Sequence, residues 1–323
     1  MQEKELDSLI NRINITIAMS AIALIFSIIS IVLVTISNSQ HSTIVTTSNS
    51  QHSTIVTTAT AQNFGHRLTN IDQPLNSSEL SIINNAPTIY FEKAGEMLLN
   101  NTLNDPMSPR AGQKLNSSFV VNGKPGVIFL GAISCIWCGE TRWPLALALS
   151  RFGNFTALYK GYSSFGDYDI PTLYWAQDNY TTRSGATFNN FYQSPYISFI
   201  TIDYDSPITQ GFAMQPISYF LTIAPNQTIK NALLFINKTT GQNIVGTPTM
   251  VIGNYLIPEA VGEVFGNTTP SDGTIPLTYE THEQVLQQIA NFSDQFAYAE
   301  YASADIYIGY ICSTINQTAP IQN

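Results

Sequence analysis

The chain has 323 residues, a formal net charge of −9 and only 11% charged residues. Such a length allows one large domain or two ordinary ones, with ample residues to bury a core. No basic stripe is present to neutralise phosphates, which excludes nucleic acid as a partner.

Residues 13–36 contain no charged side chain and consist mostly of Ile, Leu, Val, Ala and Phe. As a helix rising 1.5 Å per residue the run reaches about 36 Å, enough for a bilayer core of roughly 30 Å. A cleaved signal peptide is the competing reading. Its apolar region runs about 7–15 residues, however, and a clear Ala-x-Ala site is missing here. The run is therefore expected to be one uncleaved transmembrane helix. Lys4 and Arg12 precede it, and the next Lys or Arg is Arg67. The Lys/Arg bias makes residues 1–12 a cytoplasmic tail and puts everything beyond Ile36 outside the cell membrane.

Residues 37–47 read SNSQHSTIVTT, and residues 48–58 repeat them identically. A copied unit this short is no solenoid repeat; it belongs to a low-complexity linker over residues 37–62. His41 and His52 are copied linker residues rather than metal ligands, because no third or fourth ligand accompanies them. The external folded domain is expected over residues 63–323. Asn-x-Ser/Thr sites beyond the membrane begin at Asn76, Asn100, Asn116, Asn154, Asn179, Asn226, Asn237, Asn267, Asn291 and Asn316. That is roughly twice what the composition gives, a pattern that fits a glycosylated surface protein.

Ser78 and Glu79, followed by apolar residues to Ile83, predict a helix start. Pro87 to Leu99 reads as a second helix, with Ile89, Phe91, Met97 and Leu98 as candidate buried positions. Phe119–Val121 and Val127–Leu130 are strand-like runs around an Asn122-Gly123 turn signal. Gly131 to Ser134 is a small-residue turn, and Gly139 to Phe152 is a helix-like run. Phe155 to Tyr162 reads as a strand. Residues 161–225, rich in Tyr, Phe, Pro, Ser and Thr, read as an insertion in which Tyr196–Tyr204 is the clearest strand. Ile229–Ile236 is a short helix candidate. Gly246–Ile257 is a hairpin around Gly253-Asn254, with Pro248 just ahead of its first strand. Thr281 with Gln284 forms a capping-box pattern that opens a helix through about Phe292. A last helix carries Tyr301, Ala304, Ile308, Ile311 and Ile315 on one stripe.

Two of the three cysteines sit together as Cys135-Ile136-Trp137-Cys138, between an apolar strand and a helix. The orphan N–H groups and positive dipole end of that helix stabilise a thiolate on Cys135. Cys138, three residues on, is placed to attack the mixed disulfide that Cys135 makes, closing a Cys135–Cys138 disulfide. Trp137 between them would shield the bond and offer an apolar contact. Chemistry of this kind involves protein thiols and disulfides and needs no cofactor. Zinc lacks partners, since His41, His52, His66 and His282 are not in ligand spacing, so no metal is expected.

The order strand, Cys-x-x-Cys helix, strand, helix, Thr247-Pro248-Thr249 hairpin, helix resembles the thioredoxin fold. The resemblance implies an α/β, three-layer fold with a Tyr/Ser/Thr-rich insertion and an extra C-terminal helix. It also implies a cis Pro248 facing the dithiol, with Thr247 and Pro248 binding an extended substrate. X-Pro is the bond at which cis is accessible, and strand addition binds substrate without sequence selectivity. The stretch Cys138-Gly139-Glu140-Thr141-Arg142-Trp143-Pro144-Leu145, continuing to Ser150-Arg151-Phe152-Gly153, is narrower. With the Ile311-Cys312 helix, it is similar to an uncharacterised archaeal and bacterial family, domain of unknown function 929, over roughly Asn63 to Ala319. That family has no assigned activity.

Several residues depart from the pattern. Ser134 stands where thioredoxins usually have Trp, and Val127 to Ala132 lacks the buried acid that many of them carry. Glu140 is the nearest carboxylate and reads as charge compensation at the helix start. Relatives carry a second cysteine soon after the one matching Cys312, and no cysteine follows here. Cys312 has two readings: a buried inert thiol on the apolar side of the last helix, or an unpaired external thiol that bridges two chains into a homodimer or exchanges with the dithiol. Two functions compete: a membrane-anchored external thiol–disulfide oxidoreductase, and a glycosylated surface interaction or structural protein in which the disulfide is only a staple.

Overall fold

The computed structural model describes residues 71–100, 112–133, 135–163, 170–176, 186–204, 216–257 and 280–315. The expected membrane helix over residues 13–36 and the linker over residues 37–62 lie outside the described residues. No described helix is long and apolar enough to cross a membrane.

The elements run α1 (Ser77–Asn84), α2 (Thr88–Leu99), β1 (Gln113–Lys114), β2 (Val120–Val121), β3 (Lys124–Ala132) and α3 (Ile136–Ser150). Next come β4 (Asn154–Phe155), β5 (Tyr159–Ser163), β6 (Ile170–Tyr174), β7 (Ala186–Thr187), β8 (Tyr192–Gln193) and β9 (Ser198–Tyr204). The chain continues through α4 (Ile217–Ile223), α5 (Gln227–Thr240), β10 (Thr249–Ile252), β11 (Tyr255–Ile257), α6 (His282–Asn291) and α7 (Gln295–Thr314). Local chemistry explains most starts and stops. Asn76 caps α1 through Ser78 and Glu79, and the Glu79 carboxylate accepts from the Asn76 N–H in return. Thr281 and Gln284 make the same reciprocal pair at α6, which stops at Phe292 in the left-handed region (φ 49°). Asn122 and Gly123 both have positive φ, as a two-residue hairpin loop between β2 and β3 requires.

The main sheet has the order β1-β11-β10-β3-β9-β7, with β2 added beside β3. β3 is central. It pairs antiparallel with β10, Thr249 opposite Leu130, and parallel with β9, Gly126 to Ala132 opposite Ser198 to Tyr204. Helices cover both faces, so β3 is apolar on both sides. Val127 and Phe129 join the core under α1, α2, α3, α6 and α7, whereas Ile128 and Leu130 join the core under α4 and α5. Each fully buried Leu, Ile or Phe on these faces contributes roughly 1.5–3 kcal/mol.

The arrangement departs from the sequence expectation in three places. Tyr196–Tyr204, read as part of an insertion, instead supplies β9, the parallel neighbour of β3. Its apolar residues face two cores, which no property of neighbouring sequence reveals. The strand expected over Phe155–Tyr162 is divided: β4 pairs with β8 and β5 with β6, both outside the main sheet. Ile89 is 47% exposed, while Phe91 and Ala94 supply the buried face of α2.

Candidate active site

The parallel pairing of β3 with β9 and the antiparallel pairing with β10 bring three chain segments to the C-terminal end of β3. There the chain leaves the sheet and enters α3. Cys135 is the N-cap of α3, and its Sγ accepts a hydrogen bond from the Cys138 N–H at 3.3 Å. The Thr247 carbonyl oxygen lies 3.6 Å from Cys135 Sγ, within reach of S–H donation, and the Thr247–Pro248 bond is cis. Cys138 is fully buried, with its Sγ accepting from the Ala132 N–H at 3.4 Å. Trp137 stands 41% exposed beside them. The structure thus brings Cys135, Cys138, Trp137, Thr247 and Pro248 to one end of the sheet.

The two thiols are unequal. The hydrogen bond with Cys138 holds the Cys135 thiol below its ordinary pKa, burial opposing it and the Cys138 N–H, Thr247 and Arg142 adding to it. Burial pushes the Cys138 thiol well up, as does a neighbouring Cys135 thiolate. Cys135 is therefore the better nucleophile and Cys138 the reserve thiol.

Sequence reasoning reached Arg142 as a minor contributor to the Cys135 thiolate but missed Asp203 and the ion pair beneath the two cysteines. Arg142 is fully buried, donating to Asp203 Oδ1 at 2.6 Å and to the Ala132 carbonyl at 3.2 Å. Burial works against its charge, and the Asp203 carboxylate outweighs that, so Arg142 stays charged. Its guanidinium also lies over the Phe129 ring. The Ala132 peptide thereby links both partners, its N–H to Cys138 and its carbonyl to Arg142. Gly131 sits opposite Asp203 in the β3–β9 register, and a Cβ there would approach Asp203 Oδ1 to 2.6 Å. Sequence alone shows little sign of the pairing, since each residue has another charge two positions away, Glu140 beside Arg142 and Asp205 beside Asp203.

Glu140 corrects the sequence reading. It lies beyond the first turn of α3 and is only 1% exposed, so it does not serve as a solvated charge at the helix start. Burial, and then the charge on Cys135, raise its pKa to about 8. A carboxyl raised above its unfolded value near 4.3 favours folding below that pH, and the contribution is lost as pH rises through about 8. Glu140→Gln is accordingly expected to stabilise the protein at pH 8.5 but not at pH 5, by a few kcal/mol, in urea unfolding at the two pH values. An unchanged difference between them would contradict a buried neutral Glu140.

Elsewhere, His282 Nε2 lies 2.8 Å from the Thr172 carbonyl and 3.1 Å from the Gly161 nitrogen, and burial lowers its pKa to about 4. Lys160 bridges Glu79 at 2.7 Å and Glu283 at 2.6 Å. Cys312 is half-buried against the core, and burial followed by Asp305 pushes its thiol up. It is thus held protonated at neutral pH. Asn76, Asn100, Asn116, Asn154, Asn226 and Asn291 are exposed, whereas Asn237 is half-buried and donates to the Gln242 carbonyl. Asn179, Asn267 and Asn316 lie outside the described residues.

No curated protein and no solved structure matches the chain. A family model does match, over residues 113–313, a span that contains the dithiol, Arg142, Asp203, Thr247 and Pro248. The chain belongs to that family, the domain of unknown function DUF929.

Proposed function

We propose that this protein is a thiol–disulfide oxidoreductase, with a thioredoxin-like fold elaborated between the dithiol helix and β9. The observation that carries the reading is the asymmetry at the start of α3. Cys135 accepts the Cys138 N–H and lies beside the Thr247 carbonyl, while Cys138 is sealed beneath it. In an exchange, the Cys135 thiolate attacks a disulfide sulfur of a protein substrate, forming a new S–S bond as the substrate's own breaks and a thiolate leaves. Cys138 then loses its proton and attacks Cys135 Sγ, releasing the second substrate thiolate and leaving the Cys135–Cys138 disulfide. Thr247 and Pro248 offer backbone to an extended substrate, and Trp137 offers it an apolar surface.

Equilibration of the full chain in glutathione buffers tests this reading. An exchanging dithiol is expected to show a potential above about −300 mV, and a structural staple one below it. The second outcome would favour the surface-protein reading, which the six exposed Asn-x-Ser/Thr asparagines support.

We further propose that residues 13–36 anchor the protein in the cell membrane as a single helix, with residues 1–12 cytoplasmic and the folded domain extracellular. Protease added to intact cells is expected to digest the large domain and spare a small membrane-protected fragment. Complete protection would reverse the orientation.

A further inference from the structure

Resolution, the second half of the exchange, is the step that burial opposes. Cys138 has to give up a proton at zero exposure, where its thiol form is strongly favoured. A buried carboxylate bonded to the sulfur would serve as a base, and among the described residues none is. The sulfur accepts instead from the Ala132 N–H at 3.4 Å. Two acids lie in the same core, Glu140 on α3 and Glu300 on α7, the helix packed against α3. Their exposures are 1% and 0%, and none of their four oxygens has a hydrogen-bond partner among the described residues. A buried acid with no donor and no counter-cation is stable only when neutral. A neutral acid takes no proton from Cys138.

What lies next to Cys138 is a cation. Arg142, one turn further along α3, is fully buried, and its Nη2 donates to the Ala132 carbonyl at 3.2 Å and to Asp203 Oδ1 at 2.6 Å. The thiol and the guanidinium are thus bonded at the N–H and the C=O of one residue, on adjacent peptide groups at the end of β3. The ion pair is neutral as a whole, and its positive end is the one bonded at Ala132. Away from solvent such a charge is screened little, so its effect on a nearby sulfur is large. Other buried basic groups are committed elsewhere. Arg151 donates to Thr88 Oγ1 at 2.8 Å, Lys160 is paired with Glu79 and Glu283, and His282 is neutral at pH 7.

We propose that Arg142, held in place by Asp203, drives the resolving step by stabilising negative charge on the Cys138 sulfur, the task a buried base performs elsewhere by taking the proton. The inference rests on the exchange chemistry proposed above. In the mixed disulfide, Cys138 Sγ attacks Cys135 Sγ. The Cys135–Cys138 bond forms as the bond to the substrate sulfur breaks, and that sulfur leaves with the electron pair and takes up the Cys138 proton. Charge builds on Cys138 as its proton departs, and the guanidinium one peptide away lowers the cost. Arg142 is bonded to no reacting atom and moves no proton; it is a positioning residue for charge.

Stopped-flow oxidation of the reduced full chain by excess glutathione disulfide separates the two steps. Capture by Cys135 speeds up with reagent concentration, and resolution by Cys138 sets the plateau rate. Acid-quenched samples read by mass spectrometry give the fraction held as mixed disulfide. Arg142→Met combined with Asp203→Leu is expected to lower the plateau about tenfold and to accumulate mixed disulfide. Loss of the cation makes the Cys138 thiolate scarcer, and the accompanying gain in nucleophilicity offsets only part of that. Asp203→Asn removes the anion and keeps the cation, and it is expected to raise the plateau. A merely structural role for the pair would slow both variants. If one variant does not fold, the other decides. An unchanged plateau in the double variant, or a lowered one in Asp203→Asn, overturns the inference and leaves the exchange reading standing. A tenfold loss in Glu140→Gln overturns it too, since Glu140 would then be the base. A wild-type dithiol that does not react with glutathione disulfide overturns both.

Discussion

Cys138→Ser is expected to accumulate mixed disulfides on Cys135, with substrate proteins or with glutathione, whereas Cys135→Ser is expected to abolish exchange. The reason lies in the burial of the two sulfurs. Cys135 stands at the mouth of α3 with its sulfur hydrogen-bonded by a backbone N–H, and Cys138 lies at zero exposure behind it. External disulfides therefore meet Cys135 first, and only Cys138 is positioned to release them. Mass spectrometry of the purified variants reads the outcome directly. Equal trapping on both single-cysteine variants, or on neither, would be incompatible with the assigned roles. Alkylation rates measured against pH supply a second check, since Cys135 should react as thiolate below the pH at which an ordinary thiol does.

Asp203→Ala should be among the most destabilising single changes in the domain. The Arg142–Asp203 pair is 2.6 Å long, with side-chain exposures of 0% and 5%. Removing one partner leaves a guanidinium buried against the sheet without its counter-charge, a loss of about 3–5 kcal/mol in comparable cases. Replacing both together, as Arg142→Met with Asp203→Leu, is expected to recover most of the loss, because the desolvation cost of both charges disappears with them. Urea unfolding of reduced protein measures the cycle. Additive losses in the double variant would show that the two residues act separately. The double variant should also titrate Cys135 at higher pH than wild type, since Arg142 favours its thiolate.

The sequence made local features legible where the deciding contacts are local. The capping box of α6, the Asn122-Gly123 and Gly253-Asn254 turns and the dithiol at a helix start all depend on residues within a few positions of each other, whereas the start of α1, read at Ser78, is set by the Asn76 cap. Non-local assignments were harder. β9 is as apolar as an insertion strand would be, and only its pairing with β3 across more than sixty residues makes it central. Glu140 looked like a helix-start charge because sequence shows position along the chain but not which face meets another helix. Once α7 covers that face, the same residue is sealed from water. Glu300 was likewise hidden within a helix whose apolar stripe was evident.

β3 and α3, which hold both cysteines, are contiguous in the chain, but Asp203 lies 61 residues beyond Arg142, and Thr247 lies 112 residues beyond Cys135. During synthesis the dithiol hairpin of strand and helix emerges long before the groups that differentiate its sulfurs. Until β9 docks, Arg142 has no counter-ion, and until β10 docks, Cys135 has no neighbouring carbonyl. A nascent chain arrested between those points can make the local Cys138 N–H bond to Cys135 but lacks the contributions of Thr247 and of a paired Arg142. The full set of contacts around the pair is thus tied to completion of the long-range sheet, the slow kind of contact in folding.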